Sequence, residues 1–342
     1  MELENKFYRL TQMNVQQTSI SNDMKKQLKN KFRNFILDTP FLNPYGFTID
    51  RMIRNLTSWS RLLPDVIIVG NNKSASNTIF YNLLEHPQIK GSSRRENRFF
   101  DANYWRGTNW YRSYFPTKSS KIKFEKNNSK MIILDSSPTA YLHPFAAQRI
   151  KKLLPNAKLI ILFRNPADHA YSLYQHKVRM KVEKETFETC ILQDQERFEE
   201  TEKKWRNDEV REYSWKDLRL SYVSDGIYFN HIEKWFSLFP KENIHCIDVD
   251  ELAKQPIVVL NKICTFLHLP TYTFENYTEK NVSKEDPRKK TYLPYRTSKK
   301  NIFWYKRYKP MNSATRKKLI EFYKPHNKKL ESFLNMKFNW DV

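Results

Sequence analysis

A short apolar segment followed by a polar loop constrains the fold of this chain more than any other feature. Residues 64–70 read Pro-Asp-Val-Ile-Ile-Val-Gly, a β-branched run of the kind that forms buried parallel strands. The loop Gly70–Thr78 consists mostly of small and polar residues, and apolar residues then recur at helical spacing across Thr78–Glu85. Strand, loop and helix in this order predict the first unit of an α/β fold.

The same order of elements recurs farther along the chain. The pattern predicts further strands at Met131–Leu134, Lys158–Phe163 and Ile244–Val249. It predicts helices at Pro144–Leu154, Ala167–Met180 and Tyr228–Phe239. Repeated alternation indicates a central parallel sheet flanked by helices, a P-loop-like three-layer sandwich. Because loops that follow parallel strands meet at one edge, those after Val69, Leu134 and Phe163 should form one crevice.

We expect two regions along the chain. Residues 1–60 are predicted to form a basic helical leader, with a helix at Met24–Leu37, that packs on the domain. Residues 61–342 are predicted to form that single domain. Within it, the charged segment Lys181–Lys216 is predicted to be one long exposed helix. The last predicted helix begins after Asn312 or Ser313 and carries an apolar stripe of Leu319, Phe322, Tyr323, Leu330, Phe333 and Leu334.

The charge balance favours an anionic partner. The 342 residues include 60 Lys and Arg against 37 Asp and Glu, a net charge of +23. Such a surplus attracts phosphorylated or polyanionic molecules, although a general bias toward Asn, Lys and Ile accounts for it equally well. Arg288–Lys309 holds nine basic residues, six aromatics and no acidic residue, a composition that also suits nucleic acid.

The cysteine pattern and the hydropathy of the sequence indicate the cellular compartment. Cys190, Cys246 and Cys264 are widely spaced and form no CxxC or CxxH pair, which argues against a disulfide framework and a zinc site. No window approaches 18 uncharged apolar residues, and the N-terminus lacks the apolar region of a signal peptide. We therefore expect a cytoplasmic protein with no membrane span and no metal.

The loop Gly70–Thr78 has the composition of a phosphate cradle. Small residues let backbone N–H groups approach a phosphate, and the N-terminus of the following helix adds partial positive charge. Lys73 supplies a formal charge, and Ser76 and Thr78 supply hydroxyl donors. An ATP-binding Walker loop needs a second glycine directly before its lysine, and this loop has none. The pattern therefore disfavours ordinary nucleoside triphosphate hydrolysis, and a polar connector with an ordinary lysine stays an alternative.

Two other elements carry side chains suited to chemistry. Arg164 follows a predicted strand, where a planar guanidinium can clamp a phosphate, and Ser172 lies about two helical turns farther on. Glu96 lies among arginines and aromatic residues, surroundings that can tune a carboxylate to act as a general base. Taken singly, residues such as Arg164 and Glu96 are more often members of surface ion pairs.

The phosphate motifs occur together and in the order found in one enzyme family. From about Leu62 onward the chain resembles the sulfotransferases that use 3′-phosphoadenylyl sulfate (PAPS), particularly the heparan-sulfate-type branch and its bacterial relatives. The family loop Gly-x-x-Lys-x-Gly-Thr is matched by Gly70, Lys73 and Ser76. This chain has Ser-Ala-Ser at residues 74–76 where relatives have Gly-Gly-Thr, so the residues stay small and a hydroxyl is kept.

Two further motifs carry the resemblance. The family segment Lys-Glu-Pro-x-Phe-Phe resembles Arg95–Phe100, with Asn97 in place of the proline. The family motif Arg-x-Pro followed by a serine resembles Arg164, Pro166 and Ser172.

The resemblance implies a reaction and a set of site residues. The reaction is in-line transfer of a sulfuryl group from PAPS to a hydroxyl or amine, without a metal. The acceptor is expected to be a carbohydrate or another hydroxyl-bearing molecule, acidic ones included. Lys73 and Glu96 are the implied catalytic residues, and Arg98 and His176 are candidates for acceptor binding. The candidates for donor binding are Lys73, Ser74, Ala75, Ser76, Asn77, Thr78, Arg164, Ser172, Arg288, Lys289 and Lys290.

Two other functions remain open at this level. A P-loop-like nucleotide kinase would share the strand, loop and helix, although the Walker pattern is missing. A polyanion- or nucleic-acid-binding protein without catalysis would explain the charge surplus, although we do not expect nucleic acid as the partner. The sequence does not determine the oligomeric state.

Overall fold

The computed structural model of the chain describes residues 49–127, 130–207, 221–275, 277 and 309–340. The chain divides into two compact units, Met1–Ser58 and Trp59–Val342. In the first unit, the described residues form helix α1, Ile49–Leu56. The helix predicted at Met24–Leu37 lies outside the described residues, and the predicted packing of residues 1–60 on the domain stays a prediction.

The second unit is built around a parallel sheet. Its strands are β1 Val66–Gly70, β2 Ile89–Gly91, β3 Ile132–Ser136, β4 Lys158–Phe163 and β5 Ile244–Asp248. They lie in the order β2-β3-β1-β4-β5, and each neighbouring pair is parallel. This confirms the predicted central parallel sheet. The connection from β3 to β4 crosses over β1, so the carboxyl end of β1 lies at the switch point where such sheets bind ligands.

Helices cover both faces of the sheet. In the described part of the second unit they are α2 Ser76–Leu83, α3 Gly107–Arg112, α4 Lys118–Asn127, α5 Ala146–Leu153, α6 Pro166–Arg179, α7 Phe187–Leu192, α8 Asp194–Arg206, α9 Phe229–Leu238, α10 Val249–Lys254, α11 Pro256–Phe266 and α12 Ser313–Leu334. Local chemistry fixes two of their starts. The Asn165 side chain accepts hydrogen bonds from the first turn of α6, and Asn312 does the same for α12.

The core consists of two apolar layers separated by the sheet. Ile67 and Val69 of β1 face a layer formed with α5, α9 and the end of α12. Val66 and Ile68 face the opposite layer, formed with α2 and α11. Alternate residues of β1 thus enter opposite layers, and the whole strand is buried. This explains the unbroken apolar run and confirms the three-layer sandwich.

The charged segment after α6 differs from its prediction of one long exposed helix. The structure has two helices there, α7 and α8, and residues 208–220 lie outside the described part. The Asp194 carboxylate, at the start of α8, accepts hydrogen bonds from the backbone N–H groups of Val223 and Ser224. Phe187 and Trp205 are buried. Tertiary contacts therefore anchor one side of both helices on the domain, while the opposite side of α8 is exposed and carries ion pairs such as Lys204–Glu200.

Two smaller predictions need correction. The apolar stripe of α12 omits Phe322 and Phe333, which are 45% and 39% exposed and lie on its flank. Strand β2 was not predicted, because its three residues hold one buried apolar side chain, Ile89, and its pairing with β3 comes from the tertiary structure.

Candidate active site

The loop after β1, here called the phosphate loop (residues 70–78), turns sharply at the carboxyl edge of the sheet. A Cβ atom at position 70 would lie 2.4 Å from Cβ of Tyr141, so only glycine fits at this position. Lys73 and Ala75 have φ angles of 64° and 58°, in the left-handed region that costs residues with a side chain about 1–2 kcal/mol. The loop thereby folds back and starts α2 at Ser76.

The N-terminus of α2 is suited to an anion. The N-cap residue of α2 is Ala75, whose methyl side chain cannot form a hydrogen bond with the first turn of the helix. The first N–H groups of a helix have no partner within the helix, and the helix dipole adds positive potential there. The N–H groups of Ser76, Asn77 and Thr78 are in this first turn, so they can bind an oxyanion at the carboxyl end of β1.

Buried polar atoms without a partner gather at the same place. Within the described ranges, Asn71 Nδ2, Ser74 Oγ and Ser136 Oγ are buried and have no hydrogen-bond partner. Asn71 and Ser74 belong to the phosphate loop, and Ser136 ends β3, the neighbouring strand. Buried polar groups are nearly always paired, so a cluster of unpaired ones calls for an explanation. Amide and hydroxyl donors of this kind fit the oxygens of a phosphate or phosphosulfate.

Arg164 joins the loop after β4 to the phosphate loop. Its Nη1 donates a hydrogen bond of 3.1 Å to the carbonyl oxygen of Lys73. The Arg164 carbonyl in turn accepts a 2.9 Å hydrogen bond from the Tyr228 hydroxyl, and the Tyr228 carbonyl accepts one of 2.8 Å from the Tyr141 hydroxyl. Tyr141 is the residue that packs on Gly70. The two loops are therefore held together by contacts that return to the end of β1.

One face of α6 is turned toward the phosphate loop. Residues 165, 169, 172, 176 and 179 share this face because they are spaced by three or four positions. His169 Nε2 lies 2.8 Å from the carbonyl oxygen of Asn72, and burial lowers the pKa of His169 to about 4. The imidazole is thus neutral near pH 7, and Nε2 carries the hydrogen because a carbonyl can only accept. Ser172 is buried on the same face.

Lys73 is the electrostatic centre of the crevice. Burial and, after it, the charges of Arg179 and Arg164 lower the pKa of its amine to about 8, and the Glu96 carboxylate partly opposes them. Burial also lowers the pKa of His176 to about 3, and the charges of Lys73, Lys177 and Arg179 act in the same direction. Glu96, Arg164 and His176, all predicted from the sequence, therefore each lie within electrostatic reach of Lys73.

Glu96 lies on the segment between β2 and α3, here called the base loop (residues 94–103). Its φ angle is 56°, and its N–H donates a 3.1 Å hydrogen bond to the Ser136 carbonyl. Its carboxylate pairs with the Arg95 guanidinium. The backbone bond to Ser136 brings this carboxylate to the carboxyl edge of the sheet, beside the phosphate loop. It is the placement that a general base for this crevice requires.

Arg98 is held inside the base loop. It is 7% exposed, and its Nε donates to Asp101 Oδ2 at 2.9 Å. The Thr139 hydroxyl donates to the same oxygen at 2.6 Å. The guanidinium of Arg98 is thus engaged by a carboxylate of its own loop, and acceptor binding by this residue stays a prediction.

The structure adds residues that sequence reasoning missed. The charges of Arg179 and Lys177 lower the pKa of His176, and the charge of Arg179 also lowers the pKa of Lys73. His169 contacts the Asn72 carbonyl of the phosphate loop, and Tyr228 donates to the Arg164 carbonyl in the loop after β4. Helical spacing from Ser172 and His176 was a signal for His169 and Arg179. The hydroxyl of Tyr228 reaches Arg164 only through the tertiary fold.

Three predicted donor-binding residues, Arg288, Lys289 and Lys290, lie outside the described residues. In the part of the chain that the structure describes, no group of three or more His, Cys, Asp or Glu side chains is arranged to hold a metal ion. The same ranges contain no helix long and apolar enough to span a membrane. The described cysteines are free thiols.

Comparisons with known proteins agree with this geometry. The family model described as "Sulfotransferase domain" matches residues 63–335. The chain is 30% identical over 236 residues to bifunctional heparan sulfate N-deacetylase/N-sulfotransferase 1 of Caenorhabditis briggsae, covering 65% of this chain and 24% of that protein. It is 24% identical to the membrane-associated sulfotransferase kil1 of Dictyostelium discoideum, covering 81% of this chain and 66% of that protein.

A solved structure shares the fold. A sulfotransferase from Alicyclobacillus acidocaldarius aligns with a TM-score of 0.53 and 21% identity, over 82% of this chain and 100% of that one. The chain thus spans about a quarter of the length of the N-deacetylase/N-sulfotransferase relative, and the whole of the bacterial structure aligns with it.

Proposed function

This chain belongs to the sulfotransferase family, and we propose that it transfers a sulfuryl group from PAPS to a hydroxyl or amine of a carbohydrate. The observation that carries the proposal is the hydrogen bond from Arg164 to the Lys73 carbonyl, which joins the two phosphate motifs in one crevice. PAPS carries a 3′-phosphate and a 5′-phosphosulfate on one ribose, so its binding site needs two such motifs side by side. The nucleotide-kinase and polyanion-binding alternatives are not favoured, because the family match covers most of the chain.

The phosphate loop is our proposed site for the 5′-phosphosulfate. The N–H groups of residues 76–78 and the unpartnered donors Asn71 Nδ2 and Ser74 Oγ supply hydrogen bonds suited to its oxygens. We assign the 3′-phosphate to Arg164 and Ser172, at the start and on the inner face of α6. Arg288, Lys289 and Lys290 are proposed to add positive charge around the same donor.

The proposed reaction uses two ionisable groups. As the acceptor oxygen or nitrogen bonds to sulfur, the bond from sulfur to the 5′-phosphate oxygen breaks, and 3′-phosphoadenosine 5′-phosphate leaves. Glu96 takes the acceptor proton. Lys73, whose pKa of about 8 keeps it largely protonated at neutral pH, neutralises the charge that grows on the leaving oxygen. PAPS itself supplies the activated sulfuryl group.

The carbohydrate acceptor is proposed from the relatives. Proteins named for heparan sulfate match this chain over 65% of its residues, within a region that is 24% of the relative. We propose that His176 and Arg98 line the acceptor side of the crevice, since His176 is close enough to Lys73 for their charges to interact. A cytoplasmic location stays a prediction that rests on the cysteine pattern and the hydropathy of the sequence.

The decisive experiment is transfer of labelled sulfate from PAPS by the purified chain to a panel of glycans, lipids and tyrosyl peptides. We expect transfer to a glycan, unchanged by EDTA, and loss of at least 99% of it in Lys73→Ala. Lys152→Ala is the matched control, because Lys152 is exposed on α5. Full transfer by Lys73→Ala, or transfer to no acceptor class by the unaltered chain, would contradict the proposal.

A further inference from the structure

A buried carboxylate at the end of β3 is not used by the proposed reaction. Asp135 is fully buried and accepts hydrogen bonds from Tyr111 Oη at 2.7 Å, Asn97 Nδ2 at 3.0 Å and Ser137 Oγ at 3.4 Å. Burial raises the pKa of Asp135, and hydrogen bonds from Tyr111, the Ser136 backbone, Ser92 and Asn97 partly oppose the rise. The donors are neutral groups of this chain. Because protein groups surround the carboxylate, it does not contact substrate.

Asn97 connects this carboxylate to the base loop. Its Nδ2 donates to Asp135, and its Oδ1 accepts the N–H of Phe99 at 3.0 Å. Its carbonyl oxygen accepts Nδ2 of Asn103 at 2.9 Å. A single side chain thus fixes the loop to the sheet and closes a turn within the loop.

The residues on either side of Asn97 adopt costly conformations. Glu96 has a φ of 56° and Arg98 a φ of 55°, and neither is glycine. Such conformations persist only where the surrounding structure imposes them. The bond from Glu96 N–H to the Ser136 carbonyl and the bond from Asn97 to Asp135 attach this turn to consecutive residues of β3. Loss of the second bond leaves the turn held to the strand by the first.

We infer that Asp135 is a positioning residue for Glu96 and acts through the side chain of Asn97. The inference rests on the proposed function for the role of Glu96 as the base, and it concerns how that base is held. A general base must lie within hydrogen-bond reach of its proton, and a displacement of about 1 Å can cost about 100-fold in rate. Asp135 therefore affects the chemical step and leaves the donor site unchanged.

The first test removes each partner of the bond. Asn97→Ala deletes the link, and Asp135→Asn leaves one acceptor oxygen for three donors, Asn97, Tyr111 and Ser137. For both variants we expect kcat to fall about 30- to 100-fold, with KM for PAPS changed less than twofold. Unchanged kcat in both variants, or an equal change in donor affinity, overturns the inference.

The second test restores the bond in the opposite direction. In the double variant Asn97→Asp/Asp135→Asn, the new amide at 135 can donate to the new carboxylate at 97 while its oxygen still accepts from Tyr111. We expect at least a fivefold recovery of kcat over Asp135→Asn alone. No recovery means that the link is not what positions Glu96.

A control separates positioning from general loss of stability. Tyr222→Phe removes a buried phenol–carboxylate bond of 2.8 Å, to Glu183, in the apolar cluster that includes Ala167 of α6 and Phe187 of α7. We expect this variant to lose stability and keep its kcat within threefold. A fall in kcat equal to that of Asn97→Ala overturns the inference.

A final measurement does not depend on activity. Hydrogen exchange of the peptide that covers residues 94–103 should become at least tenfold faster in Asn97→Ala and stay unchanged in Tyr222→Phe. If the exchange behaves in this way and the unaltered chain transfers no sulfate, the proposed function fails while the structural link stands. Unchanged exchange in Asn97→Ala overturns the link itself.

Discussion

The phosphate loop and the base loop meet at the same edge of the sheet, and each holds two non-glycine residues with left-handed backbone. They differ in how their polar atoms are satisfied. Within the described residues, the phosphate loop contains buried donors without partners, including Asn71 Nδ2 and Ser74 Oγ. In the base loop, Asn97 bonds to Asp135 of β3 and to Asn103, and Arg98 bonds to Asp101. In the part of the chain that the structure describes, the base loop also has a buried atom without a partner, Asp101 Oδ1, but that atom is an acceptor. One loop is suited to hydrogen bonds from a ligand, and the other is already fixed by the protein.

The difference teaches how the two loops should respond to substitution. If a ligand completes the phosphate loop, changes there should mainly alter donor affinity. If the protein completes the base loop, changes there should mainly alter the rate of the chemical step. The predictions that follow test this division, from the largest expected effect to the smallest.

Substitution of Glu96 should give the largest effect. Glu96→Gln removes the base while keeping the shape of the side chain, so we expect kcat to fall about 1,000-fold. Affinity for 3′-phosphoadenosine 5′-phosphate, measured by calorimetry, should change less than twofold. Glu185→Gln, at an exposed glutamate, is the matched control and should behave like the unaltered chain. A large loss of nucleotide affinity in Glu96→Gln would contradict the expectation that changes in the base loop mainly alter the rate.

Substitution of Arg164 should act mainly on binding. Arg164→Ala removes a guanidinium that supports the Lys73 carbonyl and is proposed to hold the 3′-phosphate, so we expect donor affinity to fall about 100-fold. Calorimetry with 3′-phosphoadenosine 5′-phosphate measures the loss. Arg206→Ala, at an exposed arginine on α8, is the control. If kcat falls and affinity is retained, the phosphate loop is not the donor site.

The pH dependence tests the charge at the phosphate loop. Because the pKa of Lys73 is about 8 in the protein without donor, the amine loses its proton between pH 7 and 9.5, and we expect kcat/KM for PAPS to fall about 30-fold over this range. An unperturbed lysine would keep its proton over this range. Unfolding is not the cause, since the unfolded chain holds this proton to higher pH and stability from Lys73 therefore rises between about pH 8 and 10.5. Lys73→Arg should be slower and show no such fall.

The smallest effect concerns backbone strain in the phosphate loop. Ala75→Gly relieves a left-handed alanine, which favours the fold by about 1–2 kcal/mol, and makes the unfolded chain more flexible, which costs about 0.4–1 kcal/mol. We expect a net gain of about 0.5 kcal/mol in the free energy of unfolding, measured by urea titration. Ala147→Gly, inside α5, should lose about 1 kcal/mol. A loss in both variants would mean that Ala75 is not strained.

Sequence patterns predicted the elements that depend on local chemistry. Strand β4, Lys158–Phe163, matches its prediction because an unbroken apolar run is required of a strand buried on both faces. The start of α6 follows from Asn165 and the proline after it. Lys73 and Arg164 were found because each follows such a strand, and parallel strands bring their carboxyl ends together.

The rest depends on contacts that no local pattern encodes. The role of Asp135 requires Asn97, 38 positions earlier in the chain, to lie beside it. The 2.8 Å approach of His169 to the Asn72 carbonyl spans 97 positions. The split between α7 and α8 accompanies hydrogen bonds that the Asp194 carboxylate accepts from backbone N–H groups about 30 residues later in the chain. In each case the amino-acid type is ordinary for its position, and the partner determines its function.

The contacts that begin and end at the phosphate loop form a closed ring. Gly70 packs on Tyr141, Tyr141 bonds to Tyr228, Tyr228 bonds to Arg164, and Arg164 bonds to Lys73. In mechanical terms a closed ring of short links has few degrees of freedom, so the two loops cannot hinge independently. Any widening of the crevice must therefore come from elements outside the ring. A ligand at the end of the crevice lined by the ring therefore binds a preformed surface.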